Sequence, residues 1–277
     1  MANEKIYEMV TNKIVEQLEK GVVPWRKPWV NGGAVSWNTQ KAYRGINTML
    51  LDAGEWATFK QIKEAGGKVK KGAKSSFVIF FKWIEKEDND GEVERIPLLR
   101  FYNVFEINTQ VEGLESKRGG KGDSFDNDPI KACEEIVKGY LNAPSYTYER
   151  NGAWYRPSAD QVNVPPMSDF TSAEEFYNTL FHEMTHSTGH ASRLNREGVT
   201  GQVNFGSQTY SKEELVAEMG ASFLMGTAGI EDFTLENTAS YIESWLRQLK
   251  KDKTLLVRAA GLAQRAADHI LNIKFDN

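Results

Sequence analysis

His182-Glu183-Met184-Thr185-His186 is the stretch on which the reading of this chain turns. On a helix, residues i and i+4 share one face, so the two imidazoles converge on one point while Glu183 stands one step round. Two histidines at that spacing begin a metal site, because catalytic zinc takes three protein ligands and leaves a fourth position for water. Glu183 is placed to take a proton from that water without ligating, as a general base. The helical context is present on both sides: Thr171 and Glu174 have capping-box spacing, and Gly189 follows the second histidine.

The third ligand must come from elsewhere. Ten positions after the first histidine stands Ser192, and His190 is out of register. Downstream, Glu214-Leu-Val-Ala-Glu218 puts two carboxylates at i and i+4 on a helix expected to start at Ser211. Such a pair repels unless a cation or a donor lies between its members. Glu214 is therefore assigned as ligand, and Glu218 as the acceptor that orients a ligand histidine through its free N–H. Capping offers a competing reading of Glu214, three residues after Ser211, and Glu218 or Glu213 would then be the ligand. The set calls for one divalent metal ion, zinc first and manganese as the alternative. Tyr155 is a candidate for supporting substrate or an oxyanion. His190 reads as structural and His269 as a surface residue.

Composition bounds the rest. At 277 residues, 40% hydrophobic and 26% charged, the chain is long enough for two globular domains. Its longest apolar run, Phe77–Phe81, is too short for a membrane-spanning helix. A single cysteine, Cys133, excludes an internal disulfide and fits a reducing cytosol. Charge is segregated: residues 1–82 hold 14 Lys/Arg against 7 Asp/Glu, and the remainder 20 against 31. A basic part joined to an acidic one implies that the first meets a polyanion and the second does something else.

Within that basic part, Trp25, Trp29, Trp37, Tyr43, Trp56 and Phe59 interleave with Arg26, Lys27, Lys41, Arg44 and Lys60. Single-stranded nucleic acid is held by a positive groove with aromatic rings on which bases stack. The candidate contacts are Trp25, Arg26, Lys27 and Trp29, then Tyr43, Arg44 and Asn47, then Lys60. Lys68, Lys70, Lys71 and Lys74 form a plausible backbone clamp. Phe77, Phe80 and Phe81 read as core.

Local patterns place the elements. Ile6, Met9, Val10, Ile14 and Leu18 recur at helical spacing. Thr58 with Gln61 opens a short helix that Gly66-Gly67 closes. Strands are expected at about 76–86 and onward to about Ile107, around a hairpin signal at Asp88-Asn-Asp-Gly91. A glycine-rich polar stretch over 116–128 reads as a linker. Beyond it come a helix from Pro129, strand-like pieces near 146–156 and 161–164, the His182 and Ser211 helices, and two more near 235–250 and 253–272.

With these motifs in hand, the chain resembles the antirestriction protein ArdC family of plasmids and phages. The resemblance rests on Pro24-Trp-Arg-Lys-Pro-Trp29, Tyr43-Arg-Gly-Ile-Asn47, Trp56-Ala-Thr-Phe-Lys-Gln61, Tyr102-Asn-Val-Phe105, Phe181-His-Glu-Met-Thr-His186 and Glu213-Glu-Leu-Val-Ala-Glu218, among others. Ser187 departs from it, standing where an aromatic is expected. It implies an N-terminal single-stranded-DNA-binding domain joined to a zincin-like metallopeptidase domain, and a role in protecting incoming DNA from host restriction. The expectation is thus an α+β chain of two domains, with 1–115 binding single-stranded DNA, 116–128 linking, and 129–277 forming a mostly helical zincin-like domain. It would act in the bacterial cytoplasm, away from membranes. The alternative is a DNA-targeted metalloprotease whose main role is to cleave a host protein substrate.

Overall fold

A computed structural model describes residues 2–20, 33–87, 93–118, 129–150, 152–170, 172–201, 208–230 and 238–274. Helix α1 (Ala2–Glu19) opens the chain and buries Ile6, Val10, Ile14 and Leu18, the residues its helical periodicity singled out. After it come β1 (Ala34–Ser36), α2 (Ile46–Leu50), β2 (Gly54–Thr58) and α3 (Phe59–Glu64). Thr58 closes the full capping box with Gln61 at the start of α3. Then follow β3 (Lys68–Val69), the long pair β4 (Ser76–Glu87) and β5 (Val93–Glu106), α4 (Ile107–Gln110) and β6 (Val111–Glu112).

The main sheet runs β1-β2-β5-β4, so β4 is an edge strand. Strand pairing sorts its residues by face. Trp56, Val78 and Val104 pack with Ala34 and Leu51 on one side, while Ala57 packs with Ile62, Ile107 and Val111 on the other. Trp56, only 5% exposed, belongs to the core. Phe80 and Phe81 do not: they are 45% and 46% exposed, contrary to their reading as core. The hairpin outruns the elements that cover its base, and apolar sequence alone does not show where cover ends. The Asp88–Gly91 turn lies outside the described residues.

Residues 115–118, where the linker was expected to begin, are held in place. Trp37 Nε1 donates to the Glu115 carbonyl (2.9 Å), and the Lys117 ammonium sits 3.9 Å from the Trp37 ring centre. The buried Glu55 carboxylate accepts the Lys117 amide at 2.9 Å.

The second half contains α5 (Pro129–Gly139), β7 (Ser145–Thr147), β8 (Trp154–Arg156), β9 (Gln161–Asn163), α6 (Ala173–Ser187), α7 (Glu197–Thr200), α8 (Gln208–Ala228), α9 (Thr238–Lys251) and α10 (Leu255–Ile270). A small sheet runs β7-β9-β8, so the strand-like stretch near 146–156 is two strands flanking a third. Helix α6 is capped one residue later than its sequence signal, by Ser172 accepting from the Glu175 amide at 3.2 Å. It packs along α8, where the two backbones close up at Gly220. A Cβ there would lie 2.5 Å from Thr185 Cγ2, so only glycine fits without displacement.

The architecture is α+β in two domains. Among the described residues, one compact unit comprises 2–20, 33–118 and 246–256, and the other 129–245 and 257–274. The return segment 246–256 supplies Leu249, Leu255 and Leu256 to the buried residues of the first unit, and its Lys253 carbonyl accepts from Thr11 Oγ1 at 2.8 Å. Among the described residues no helix is long and apolar enough to cross a membrane.

Candidate metal centre

Two helices build the site. His182 and His186 project from one face of α6 and bring their Nε2 atoms to 3.1 Å of each other. From α8, the Glu214 carboxylate reaches both, at 3.5 Å from His182 Nε2 and 3.4 Å from His186 Nε2. Ligand bonds of about 2.0–2.1 Å arranged tetrahedrally give donor–donor edges of about 3.3 Å. The two Nε2 atoms lie near that length, and each has a different Glu214 oxygen near it, Oε2 for His182 and Oε1 for His186. With one donor taken from each residue, all three lie within 4.8 Å of one another, a set that a divalent ion can draw together. Helix α8 begins at Gln208, a turn before Ser211, so Glu214 lies inside the helix and completes no capping box.

A carboxylate stands behind each histidine. Glu213 Oε1 lies 3.4 Å from His186 Nδ1, and Glu218 Oε1 lies 3.9 Å from His182 Nδ1, an ion-pair separation longer than a hydrogen bond. Glu213 is pinned from its other side by buried Arg196, whose Nη2 donates to Glu213 Oε1 (2.5 Å) and to the Thr185 carbonyl (2.8 Å). The Arg196 Nη1 donates to Thr188 Oγ1 at 2.5 Å. Arg196 therefore ties α8 to the last turn of α6, the turn that carries His186. Sequence reading missed it, because a lone arginine in a turn carries no periodic or spacing signal.

Electrostatics follow from this packing. Burial works against a charged His186, yet its bonds to Glu213 and Glu214 prevail and hold it up at about 10. His182 is raised too, Glu214 overcoming the effect of burial. Burial favours a protonated Glu214, and the two imidazoles reverse this, pushing its carboxyl far below the usual range. The negative charge of Glu183, itself buried on α6, adds to the upward shift of both histidines. These are donors for which a proton and a divalent cation compete.

Known proteins resemble both halves of the chain. The N-terminal domain of the anti-restriction factor ArdC matches residues 4–105, and the zincin-like metallopeptidase family matches residues 134–262. The solved structure of antirestriction ArdC from plasmid R388 in its Mn(II)-bound form is 36% identical, covers 96% of this chain and 97% of that one, and superposes with a TM-score of 0.74. The chain belongs to the ArdC antirestriction family. An uncharacterised protein of Sinorhizobium fredii, y4eC, is 30% identical over 95% of this chain and 90% of its own length. A DNA primase TraC of Escherichia coli is 31% identical over 96% of this chain, which spans only 20% of that protein.

The other candidates of this ArdC-family chain land as follows. Trp25, Arg26, Lys27 and Trp29 lie outside the described residues. Tyr43 is half-buried against the Trp56–Val104 core, and burial raises its phenol. Arg44 is half-exposed in the turn before α2. Asn47 has a structural task. Its Nδ2 donates to the Ile79 carbonyl (2.8 Å) and its Oδ1 accepts the Ile79 amide (2.7 Å), so it closes the open edge of β4, with each amide atom already engaged once. Lys60 is exposed, with Glu64 at 3.7 Å. Lys68, Lys71 and Lys74 are exposed, while Lys70 Nζ donates to the Thr109 carbonyl at 3.0 Å.

Tyr155 points its hydroxyl at Asp160 Oδ1 (2.9 Å), a carboxylate that also pairs with Arg193, so it braces the small sheet. His190 is held in its turn by Ser192, 2.8 Å from Nδ1. His269 is no surface residue: its ring meets the Tyr140 ring edge-on at 5.9 Å, and burial lowers its pKa. Ser187 is buried, donating to the Met184 carbonyl (2.6 Å) and lying 3.1 Å from the Tyr140 hydroxyl.

The separation of Glu218 from His182 sets an expectation. Glu218→Gln should weaken divalent-ion affinity by about 10- to 100-fold, the usual penalty for losing a partner behind a ligand. Competitive metal titration would read it, and unchanged affinity would leave Glu218 without a part in orienting His182.

Proposed function

We propose that this chain protects incoming DNA from host restriction by binding it as single strands, and that its second domain holds one divalent ion at His182, His186 and Glu214. The observation that carries the metal half is the convergence of three side chains from two helices: the histidine Nε2 atoms lie 3.1 Å apart, with one Glu214 oxygen 3.4 Å from His186 and the other 3.5 Å from His182. Two imidazoles and a carboxylate suit zinc, and the existence of a Mn(II)-bound R388 relative supports manganese as the alternative. The DNA half draws on the family and on the excess of basic over acidic residues in 1–82. The cytoplasm of a bacterial host is where such a task would be carried out. Priming, named for a protein of which this chain spans 20%, is not part of the reading.

A divalent ion at such a site supplies Lewis acidity, polarising a carbonyl oxygen and making water more acidic. The chain's own contribution would be threefold. Glu183 takes up a proton and gives it back to a leaving amine. Glu213 and Glu218 fix the orientation of the two imidazoles. Arg196 keeps Glu213 aimed at His186 Nδ1. Glu183 has no part in the donor trio, and its presence favours a second reading, in which the chain is a DNA-addressed protease that cleaves a host protein.

Glu183→Gln separates the two. It should leave single-strand affinity unchanged. If binding is what protects, protection of incoming DNA by the variant equals the wild type; if cleavage is what matters, protection is lost at full affinity. A wild-type chain that binds no single strand overturns the DNA half of the reading.

A further inference from the structure

The outer half of the β4–β5 hairpin shows more aromatic surface than folding requires. Antiparallel register puts Val78 opposite Tyr102, Phe80 opposite Arg100 and Lys82 opposite Leu98, all on one face. Toward the base this face is closed by Trp56, Val104 and Leu51. Further out the cover stops: Phe80 stays 45% and Tyr102 43% exposed, with Arg100 and Lys82 exposed beside them. Phe80 and Tyr102 are diagonal neighbours across the pair, about 7–8 Å apart at the backbone and within reach of each other's rings.

The described charged side chains on this stretch of the face, Lys82 and Arg100, are both cations. Among the described residues neither Lys82 nor Arg100 is paired with a carboxylate. Glu106, at the base of this face, is engaged with the Thr109 amide and hydroxyl, both at 2.7 Å. Exposed rings flanked by unneutralised cations match bases and phosphates together, and only an unstacked base can lay its face on a ring. A duplex keeps those faces hidden, and an apolar partner would leave the two cations without counter-charge.

We propose that this face is a base-stacking platform for single-stranded DNA, with Phe80 and Tyr102 as the stacking rings and Arg100 and Lys82 as phosphate contacts. The assignment rests on the single-strand reading above and gives it a location. Phe101, 42% exposed on the opposite face of the same strand, is the internal control.

The test is fluorescence anisotropy of a labelled mixed-sequence single-stranded oligonucleotide with the full chain at several salt concentrations. Phe80→Ala and Tyr102→Ala should each weaken binding by about 5- to 150-fold, the usual effect of removing a stacking ring. Tyr102→Phe keeps the ring and should bind like the wild type, as should Phe101→Ala. Arg100→Gln should lower the slope of log affinity against log salt by about one. Circular dichroism checks that each variant is folded. Folded alanine variants that bind as the wild type does overturn the platform and leave the single-strand reading standing. A wild type that binds no single strand overturns both. Loss of protection with DNA affinity intact also overturns it, and points to a protein on this face.

Discussion

Replacing His182 or His186 by alanine is expected to abolish binding of the divalent ion, and Glu214→Gln to reduce it beyond the range of a competitive titration. Each change removes one of three protein donors, so the loss exceeds the about 10- to 100-fold typical of a partner behind a ligand. Glu183→Gln should keep full occupancy, because Glu183 lies outside the donor trio. Elemental analysis of the purified variants decides the matter. Metal missing from the Glu183 variant would make that residue a ligand and end its assignment as the base. Metal retained by the Glu214 variant would hand the third position to another carboxylate of α8.

The second large effect concerns stability. Arg196 and Glu213 are both buried and joined through three nitrogen–oxygen contacts between 2.5 and 3.2 Å. Removing one member leaves an uncompensated charge, so Arg196→Met should destabilise the second domain by about 3–5 kcal/mol. Replacing both members is another matter: Arg196→Met combined with Glu213→Leu should recover most of that loss, since buried pairs add little net stability over apolar substitutes. The double variant should still bind metal about 10- to 100-fold more weakly, having lost the acceptor behind His186. Urea unfolding and metal titration on the same samples separate the two effects. If the double variant is restored in both, the pair has no part in the site.

Much of the centre was legible because its signals are local. The spacing of His182 and His186 fixes a shared helix face, and Glu214 with Glu218 fixes another. Local signals also erred by small steps. Ser172, not Thr171, caps α6, since both residue types cap and each has a glutamate three positions on. Ser211 looks like a helix start, yet α8 already runs from Gln208. What the sequence did not disclose depends on distant partners. Arg196 matters only because Glu213 folds against it, and Asn47 because the edge of β4 arrives beside it. Phe80 and Trp56 carry similar local signals, and only the packed sheet shows one exposed and the other buried.

The return of residues 246–256 to the first unit bears on the order in which the protein can be made. A chain emerging from the ribosome ordinarily folds its N-terminal domain first, at about 5–20 residues per second. Here the first unit stays incomplete until Leu249, Leu255 and Leu256 have been synthesised, after both metal-site helices. Most of the C-terminal body is therefore synthesised while the N-terminal one still lacks these three leucines. A fragment ending in the linker never acquires them. A truncation made to test the proposed DNA binding would for this reason lower it through misfolding alone, and point substitutions in the full chain are the cleaner instrument.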